Sequence, residues 1–99
     1  METGKLGNDV LTAFFLAVKS DSRLTPMHMS LYFVLFRYWL KGNCQNPIQV
    51  NRRSLMKYAH IKSTATYHKC IGQLQAWGYI KYQPSYHPAH GSLVYLCAA

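Results

Sequence analysis

Residues 51–80 decide the fold, and they read NRRSLMKYAHIKSTATYHKCIGQLQAWGYI. Two polar residues in this stretch, Asn51 and Ser63, each stand where a side-chain oxygen can cap a helix. They predict one helix over residues 52–60 and a second over about residues 64–77, with three residues between the two. The stretch therefore predicts a pair of short helices joined by a tight turn.

The sequence before this stretch predicts a long helix and a very short strand. Thr25 can cap a helix that begins with Pro26, where proline loses no intrahelical hydrogen bond, and the helix should end near Lys41. Its apolar residues lie on nearly all sides, which is typical of a central helix packed on both faces. Residues 48–50 are Ile-Gln-Val, and their alternating polarity predicts a short strand.

A further helix is predicted near the N-terminus, over about residues 9–19, with Asn8 or Asp9 as its cap. Four apolar residues at helical spacing predict its buried face: Leu11, Phe14, Phe15 and Val18. Three more apolar residues extend past that face: Val10, Leu16 and Ala17. We expect the domain to bury them, and the alternative is a surface for a partner.

The sequence after the quoted stretch predicts a β-hairpin. Residues 79–82 and 92–96 are rich in aromatic and branched side chains, and a loop from about Pro84 to Gly91 separates them. The expected fold is mostly α with a small β-hairpin, an α+β class. Its order is helix, strand, helix, helix, strand, loop, strand, with an extra N-terminal helix. A chain of 99 residues allows one such domain.

Charge is distributed unevenly along the chain. Lysine and arginine number 11 against three acids, which gives a formal net charge of +8. The acids are Glu2, Asp9 and Asp21, so no Asp or Glu follows residue 21. Paired-carboxylate hydrolysis, carboxylate-bound metal catalysis and hydrolase triads therefore lack their residues, and we expect neither an enzyme nor a cofactor. A basic surface of this kind favours a polyanionic partner.

The cysteines and histidines predict neither disulfides nor a metal site. Cys44, Cys70 and Cys97 are odd in number and far apart, which favours reduced thiols and a cytoplasmic location. Cys70 falls on the apolar side of its helix and is expected to be a core residue. His87 and His90 lack further ligands close in sequence, so we expect no metal there. No run is long and apolar enough to predict a membrane span.

The two short helices form a helix-turn-helix pattern, and the whole order of elements resembles the winged helix-turn-helix DNA-binding family. Three motifs carry the resemblance: Asn51 to Ile61, Ser63 to Tyr67, and Leu74 to Ile80. In the last, a Leu-x-x-x-Gly-Tyr-Ile ending leads from a helix into a strand. The sequence from Ala65 to Pro88, followed by Gly91-Ser92, is similar to small winged-helix proteins of bacterial conjugative and other mobile elements.

The resemblance covers about residues 24–96. It implies a single winged-helix domain over residues 1–99, in which residues 1–23 are a helical extension. It also implies that the helix from about Thr64 to Trp77 lies in the major groove, and that the wing, from about Pro84 to Gly91, touches backbone or minor groove. The implied function is sequence-preferring binding of double-stranded DNA by a transcriptional regulator, or by a recombination or replication accessory factor.

The residue types suit such an interface. Arg52 and Arg53 start a helix, where backbone amides also attract phosphate. The second helix carries no arginine, so readout of guanine by arginine is not expected, and its Gln73, His68 and threonines are the candidates for base contacts. The candidate DNA-binding residues are Arg52, Arg53, Lys57, Lys62, Ser63, Thr64, Thr66, His68, Lys69, Gln73, Lys81, Tyr86, His87 and His90.

A second interpretation is a winged-helix protein–protein interaction module that does not bind DNA directly. In that case the aromatic wing and the apolar first helix would contact a protein, and the positive charge would be incidental. The surplus apolar surface of the first two helices also suggests a homodimer, as in proteins that read symmetric DNA sites. Steep loss of affinity with salt would distinguish DNA binding from a protein interaction.

Overall fold

The computed structural model describes residues 2–84 and 91–96, and the side chains of these residues from residue 9 onward. These residues form the helices α1 (Glu2–Ser20), α2 (Pro26–Lys41), α3 (Arg52–Ala59) and α4 (Thr64–Ala76). They also form the strands β1 (Ile48–Val50), β2 (Ile80–Gln83) and β3 (Ser92–Leu96). The chain is therefore a small α+β domain, and this predicted class is confirmed.

Most elements begin and end close to the predicted residues, because capping side chains fix the helix starts. Thr25, Asn51 and Ser63 each accept a hydrogen bond from a backbone N–H of the first turn that follows. α3 and α4 end one residue before the predicted positions, since His60 and Trp77 serve as their C-terminal caps. β2 is shifted by one residue from the prediction.

The predictions for α1 need two corrections. The helix begins at Glu2, so Asn8 and Asp9 lie inside it and neither caps it. No proline interrupts the backbone hydrogen bonds in this segment. The predicted buried face is also wrong in part, because Phe15 and Leu16 are 54% and 59% exposed.

Phe14 sets which side of α1 is buried. Its ring stacks on Tyr32 of α2, with 3.8 Å between ring centroids, and meets the edge of Tyr79 at 5.7 Å. Val10 lies one turn earlier and is also buried. Helical spacing then turns Phe15 and Leu16 away from α2.

The sheet is antiparallel in the order β1-β3-β2, so the strand latest in sequence lies in the middle. Val94 is the centre of the pairing, opposite Ile48 on one side and Tyr82 on the other. The side chain of Asn46 continues the β1 edge: its Oδ1 accepts from the Leu96 N–H and its Nδ2 donates to the Leu96 carbonyl, both at 3.0 Å. The Asn46 side-chain amide thus takes the place of one further pair of backbone hydrogen bonds between β1 and β3.

α2 lies at the centre of the domain and packs against α3, α4, β1 and β3. It buries six residues along its length: His28, Leu31, Tyr32, Leu35, Phe36 and Trp39. The prediction of a central helix is therefore supported. Three of its apolar residues nevertheless face solvent: Met27 at 45% exposure, Phe33 at 60% and Leu40 at 36%.

Substitution of Gly91 and of Gly72 by alanine should change the stability of the fold in opposite directions. Gly91 has a φ of +63°, and a Cβ placed on it would lie 2.5 Å from the Val50 carbonyl oxygen. Gly91→Ala should therefore lower the free energy of unfolding by about 2–4 kcal/mol, through left-handed strain and a steric clash. Gly72 lies on the exposed side of α4 with open space around it, so Gly72→Ala should raise that free energy by about 0.5–1 kcal/mol.

Urea unfolding of the parent and both variants, followed by circular dichroism, measures these changes. A Gly91→Ala protein as stable as the parent would contradict the described approach of residue 91 to β1.

Candidate functional site

Arg52 and Arg53 lie side by side at the N-terminal end of α3. Asn51 caps this helix, and its Oδ1 accepts a hydrogen bond from the Ser54 backbone N–H at 3.1 Å. Both arginines are exposed, and Lys57 is exposed about one turn later. The start of a helix also carries partial positive charge on its backbone N–H groups. The exposed side of α3 therefore carries a concentration of positive charge.

The turn between α3 and α4 leaves Lys62 and Ser63 facing solvent. His60 adopts the left-handed conformation, with φ 59° and ψ 39°, and closes the end of α3. The Ile61 N–H donates to the Met56 carbonyl at 2.9 Å, and the Ile61 side chain is buried in the core. Because Ile61 is anchored inward, the next two residues are exposed beside the start of α4.

α4 divides into a buried and an exposed face, and both have the predicted composition. The buried face consists of Tyr67, Cys70, Ile71 and Leu74. The exposed face consists of Thr64, Ala65, His68, Lys69, Gly72 and Gln75. Ala65 and Gly72 have small side chains or none, so the backbone of this face can approach a partner closely. Thr66 is half-buried, and its N–H donates to the Ser63 Oγ at 3.3 Å.

Gln73 is half-buried on α4, and its side chain is held by His28 of α2. The Thr25 backbone N–H can only donate, and it donates to His28 Nδ1 at 3.0 Å. Nδ1 is therefore the acceptor of the neutral ring, so Nε2 carries the hydrogen and donates to Gln73 Oε1 at 2.7 Å. No described residue accepts a hydrogen bond from the amide NH₂ of Gln73, which is available as a donor.

Trp77 joins the end of α4 to the segment that precedes α2. The Arg23 guanidinium lies over its indole ring at 4.6 Å from the centroid, and the His28 ring lies 5.0 Å from it. Arg23 also donates two hydrogen bonds to the Asp21 carboxylate, from Nε and Nη2, each 2.8 Å long. The Tyr79 hydroxyl donates to the same carboxylate at 2.6 Å. These contacts hold the C-terminal end of α4 against α2 and the segment that precedes it.

The electrostatics of this cluster are dominated by Arg23 and Asp21. The hydrogen bonds from Arg23, and then the one from Tyr79, hold the pKa of Asp21 well below its usual value. Burial, reinforced by the carboxylate, raises the pKa of the Tyr79 hydroxyl. Asp21 therefore stays ionised, and the positive charge of Arg23 balances its negative charge.

Lys81 is the predicted site residue of β2, and it is exposed. It pairs in register with Tyr95 of β3, and its Nζ lies 5.5 Å from the centroid of that ring. Three other predicted residues lie outside the described part of the chain: Tyr86, His87 and His90. The predicted site therefore divides into a group on α3, the turn and α4, and a single described cation on the sheet.

Two residues of this region were not predicted from the sequence. His28 occupies the third helical position after the Thr25 cap, where a capping box normally has Glu or Gln, and this spacing is a signal that identifies it. Arg23 gave no such signal, because its contact with Trp77 spans residues far apart in the chain.

Nowhere in residues 9–84 and 91–96 do three His, Cys, Asp or Glu side chains come together as a metal site. Cys70 is buried as predicted, and burial raises the pKa of its thiol, which disfavours the reactive thiolate.

Within the described chain, no helix combines the length and the apolar character needed to cross a membrane.

Comparison of the chain with protein-family models, with curated proteins and with solved structures gives no match. The function must therefore be inferred from the residues and geometry of this chain alone.

The link between His28 and Gln73 can be tested by unfolding. His28→Ala removes the hydrogen bonds of the ring to Thr25 and Gln73 and leaves a cavity beside Trp77, so the free energy of unfolding should fall by about 2–4 kcal/mol. Met27 is the matched control, since it is adjacent and 45% exposed, and Met27→Ala should change this free energy by about 0.5 kcal/mol or less. Equal effects in urea unfolding would contradict the bridging role of His28.

The lowered pKa of Asp21 predicts a pH dependence of stability. A carboxyl whose pKa is lower in the folded state stabilises the fold above its unfolded value, near 3.8, and this contribution is lost as the pH falls below that value. Asp21→Asn should therefore be less stable than the parent at pH 7, and the difference should shrink as the pH is lowered through 4 towards 2. Thermal unfolding at several pH values measures this.

Arg23→Gln should reproduce the effect of Asp21→Asn, because the guanidinium is the main cause of the lowered pKa. Parallel pH profiles for the parent and both variants would show that the ion pair does not contribute to stability.

Proposed function

We propose that this protein is a winged helix-turn-helix protein that binds double-stranded DNA with sequence preference. It would act as a transcriptional regulator or as a recombination or replication accessory factor of a bacterial mobile element, in the cytoplasm. In this proposal α3 and α4 are the helix-turn-helix, α4 is the recognition helix, and the segment between β2 and β3 is the wing.

One observation carries the proposal: exposed cations follow one another along three consecutive elements without any acid. They are Arg52, Arg53 and Lys57 on α3, Lys62 in the turn and Lys69 on α4. No Asp or Glu occurs in the sequence after residue 21, so no acidic side chain of these elements offsets their charge. A surface of this kind attracts the phosphates of a duplex, and its affinity should depend on salt.

The exposed face of α4 supports contact with the bases. Its small residues Ala65 and Gly72 would let the helix enter the major groove, which is about 12 Å wide. Gln73 offers its NH₂ as a donor, since its Oε1 accepts from His28. An NH₂ donor suits the acceptors N7 and O6 of guanine or O4 of thymine. The two-bond pairing of glutamine with adenine also needs Oε1, which here accepts from His28.

A protein-interaction module is the second candidate, and one observation favours it. Phe15 and Leu16 form an exposed apolar pair on α1, where a partner or a second copy of the chain could pack. A homodimer formed in this way would present two recognition helices to a symmetric DNA site.

Fluorescence anisotropy of a labelled random duplex tests the proposal, with titrations at about 50 and about 200 mM salt. Each neutralised phosphate contributes about 0.9 to the slope of log affinity against log salt. Arg52→Ala/Arg53→Ala should therefore reduce the slope by about 2 and weaken binding at the lower salt by about tenfold to a hundredfold.

Arg37→Ala/Lys41→Ala is the matched control, because it removes the same charge from exposed positions of α2. This variant should keep most of the affinity for the duplex. Equal loss in both double variants would contradict a defined interface, and no binding at either salt concentration would favour the protein-interaction module.

A further inference from the structure

A groove of about 510 Å³ runs between α2 and α3, separate from the proposed recognition helix. Phe33, Val34, Arg37 and Lys41 contribute its α2 wall, and Tyr58 stands on the α3 wall. Phe33 is 60% exposed and Tyr58 is 58% exposed, so two large aromatic side chains present much of their surface to solvent at this groove. The groove therefore offers apolar surface that the described part of the chain leaves uncovered.

Among the described residues, the cations of the groove have no acidic partner. Arg37 and Lys41 are both exposed, and they lie one helical turn apart along the same wall. The ion pair among the described residues joins Arg23 to Asp21, so neither groove cation is neutralised by a described carboxylate. Apolar and cationic groups thus alternate along this side of α2.

We propose that this groove binds an acidic amphipathic helix of a partner protein. From Phe33 to Lys41 the α2 wall spans about 12 Å at 1.5 Å per residue, which matches about two turns of a bound helix. Apolar side chains on that helix would pack against Phe33, Val34 and Tyr58, while its carboxylates would pair with Arg37 and Lys41.

Charge complementarity selects this occupant over the others. A second copy of the chain carries the same net charge of +8, so its basic surfaces would repel the groove. Duplex DNA has a rigid, polar backbone, and phosphates gain nothing from the exposed rings of Phe33 and Tyr58. An acidic amphipathic helix satisfies both the apolar and the cationic parts.

The test uses the full chain and a fluorescein-labelled peptide of about 16 residues, long enough to form a helix, with leucines on one face and glutamates beside them. Anisotropy should show saturable binding of this peptide. A matched peptide with glutamine in place of glutamate should bind at least about tenfold more weakly, since its charge pairs are missing.

Variants of the groove residues test whether the peptide binds in the groove. Arg37→Glu/Lys41→Glu should weaken binding of the glutamate peptide by at least about tenfold, and Phe33→Ala should weaken it by about fivefold. Lys19→Glu reverses an exposed cation on α1, outside the groove, and should bind within about twofold of the parent. Circular dichroism confirms that each variant is folded, and all of these positions are exposed.

Three outcomes would overturn the proposal. The first is full affinity in the Arg37→Glu/Lys41→Glu variant. The second is displacement of the peptide by an equimolar oligothymidine strand, which would assign the groove to stacked bases. The third is a dimer in sedimentation that Phe33→Ala dissociates, which would assign the groove to a second copy of the chain.

Discussion

The burial of α2 is the constraint on which the other elements depend. α3, α4, β1 and β3 all pack against it, and Leu31 and Leu35 are completely buried in that contact. Burial of side chains of this size contributes about 1.5–3 kcal/mol each. Because α3 and α4 both rest on α2, this helix determines how the two helices of the proposed DNA interface lie relative to each other. A change in the α2 core would therefore disturb the site without touching an exposed residue.

Asp21, the acid nearest in sequence to the basic elements, is paired within the fold. The Asp21 carboxylate accepts hydrogen bonds from Arg23 and Tyr79. These bonds hold the segment before α2 against the residues that follow α4. The cations of α3 and α4 remain exposed. The same acid that stabilises the fold thus leaves the long-range positive field of the later elements largely intact.

Local chemistry made most of the helix and strand bounds predictable, because a cap such as Asn51 and a periodic apolar face act within a few residues. The exposed face of α4 followed from the same periodicity. The features that were missed depend on residues far apart: His28 meets Gln73 across 45 positions, and Tyr32 and Tyr79 decide which side of α1 is buried. Sequence spacing identifies an exposed cation, but only the packed helices show that two of them border a groove.

The position of β3 also affects how the protein is made. The strand that joins the sheet is synthesised after both strands it separates, and about 50 residues lie between β1 and the end of β3. At about 5–20 residues per second, a ribosome needs roughly 2 to 10 s to cover that distance. Throughout this interval the apolar side of α2 that later meets β3 lacks its cover. The nascent chain is therefore most vulnerable to aggregation just before β3 emerges.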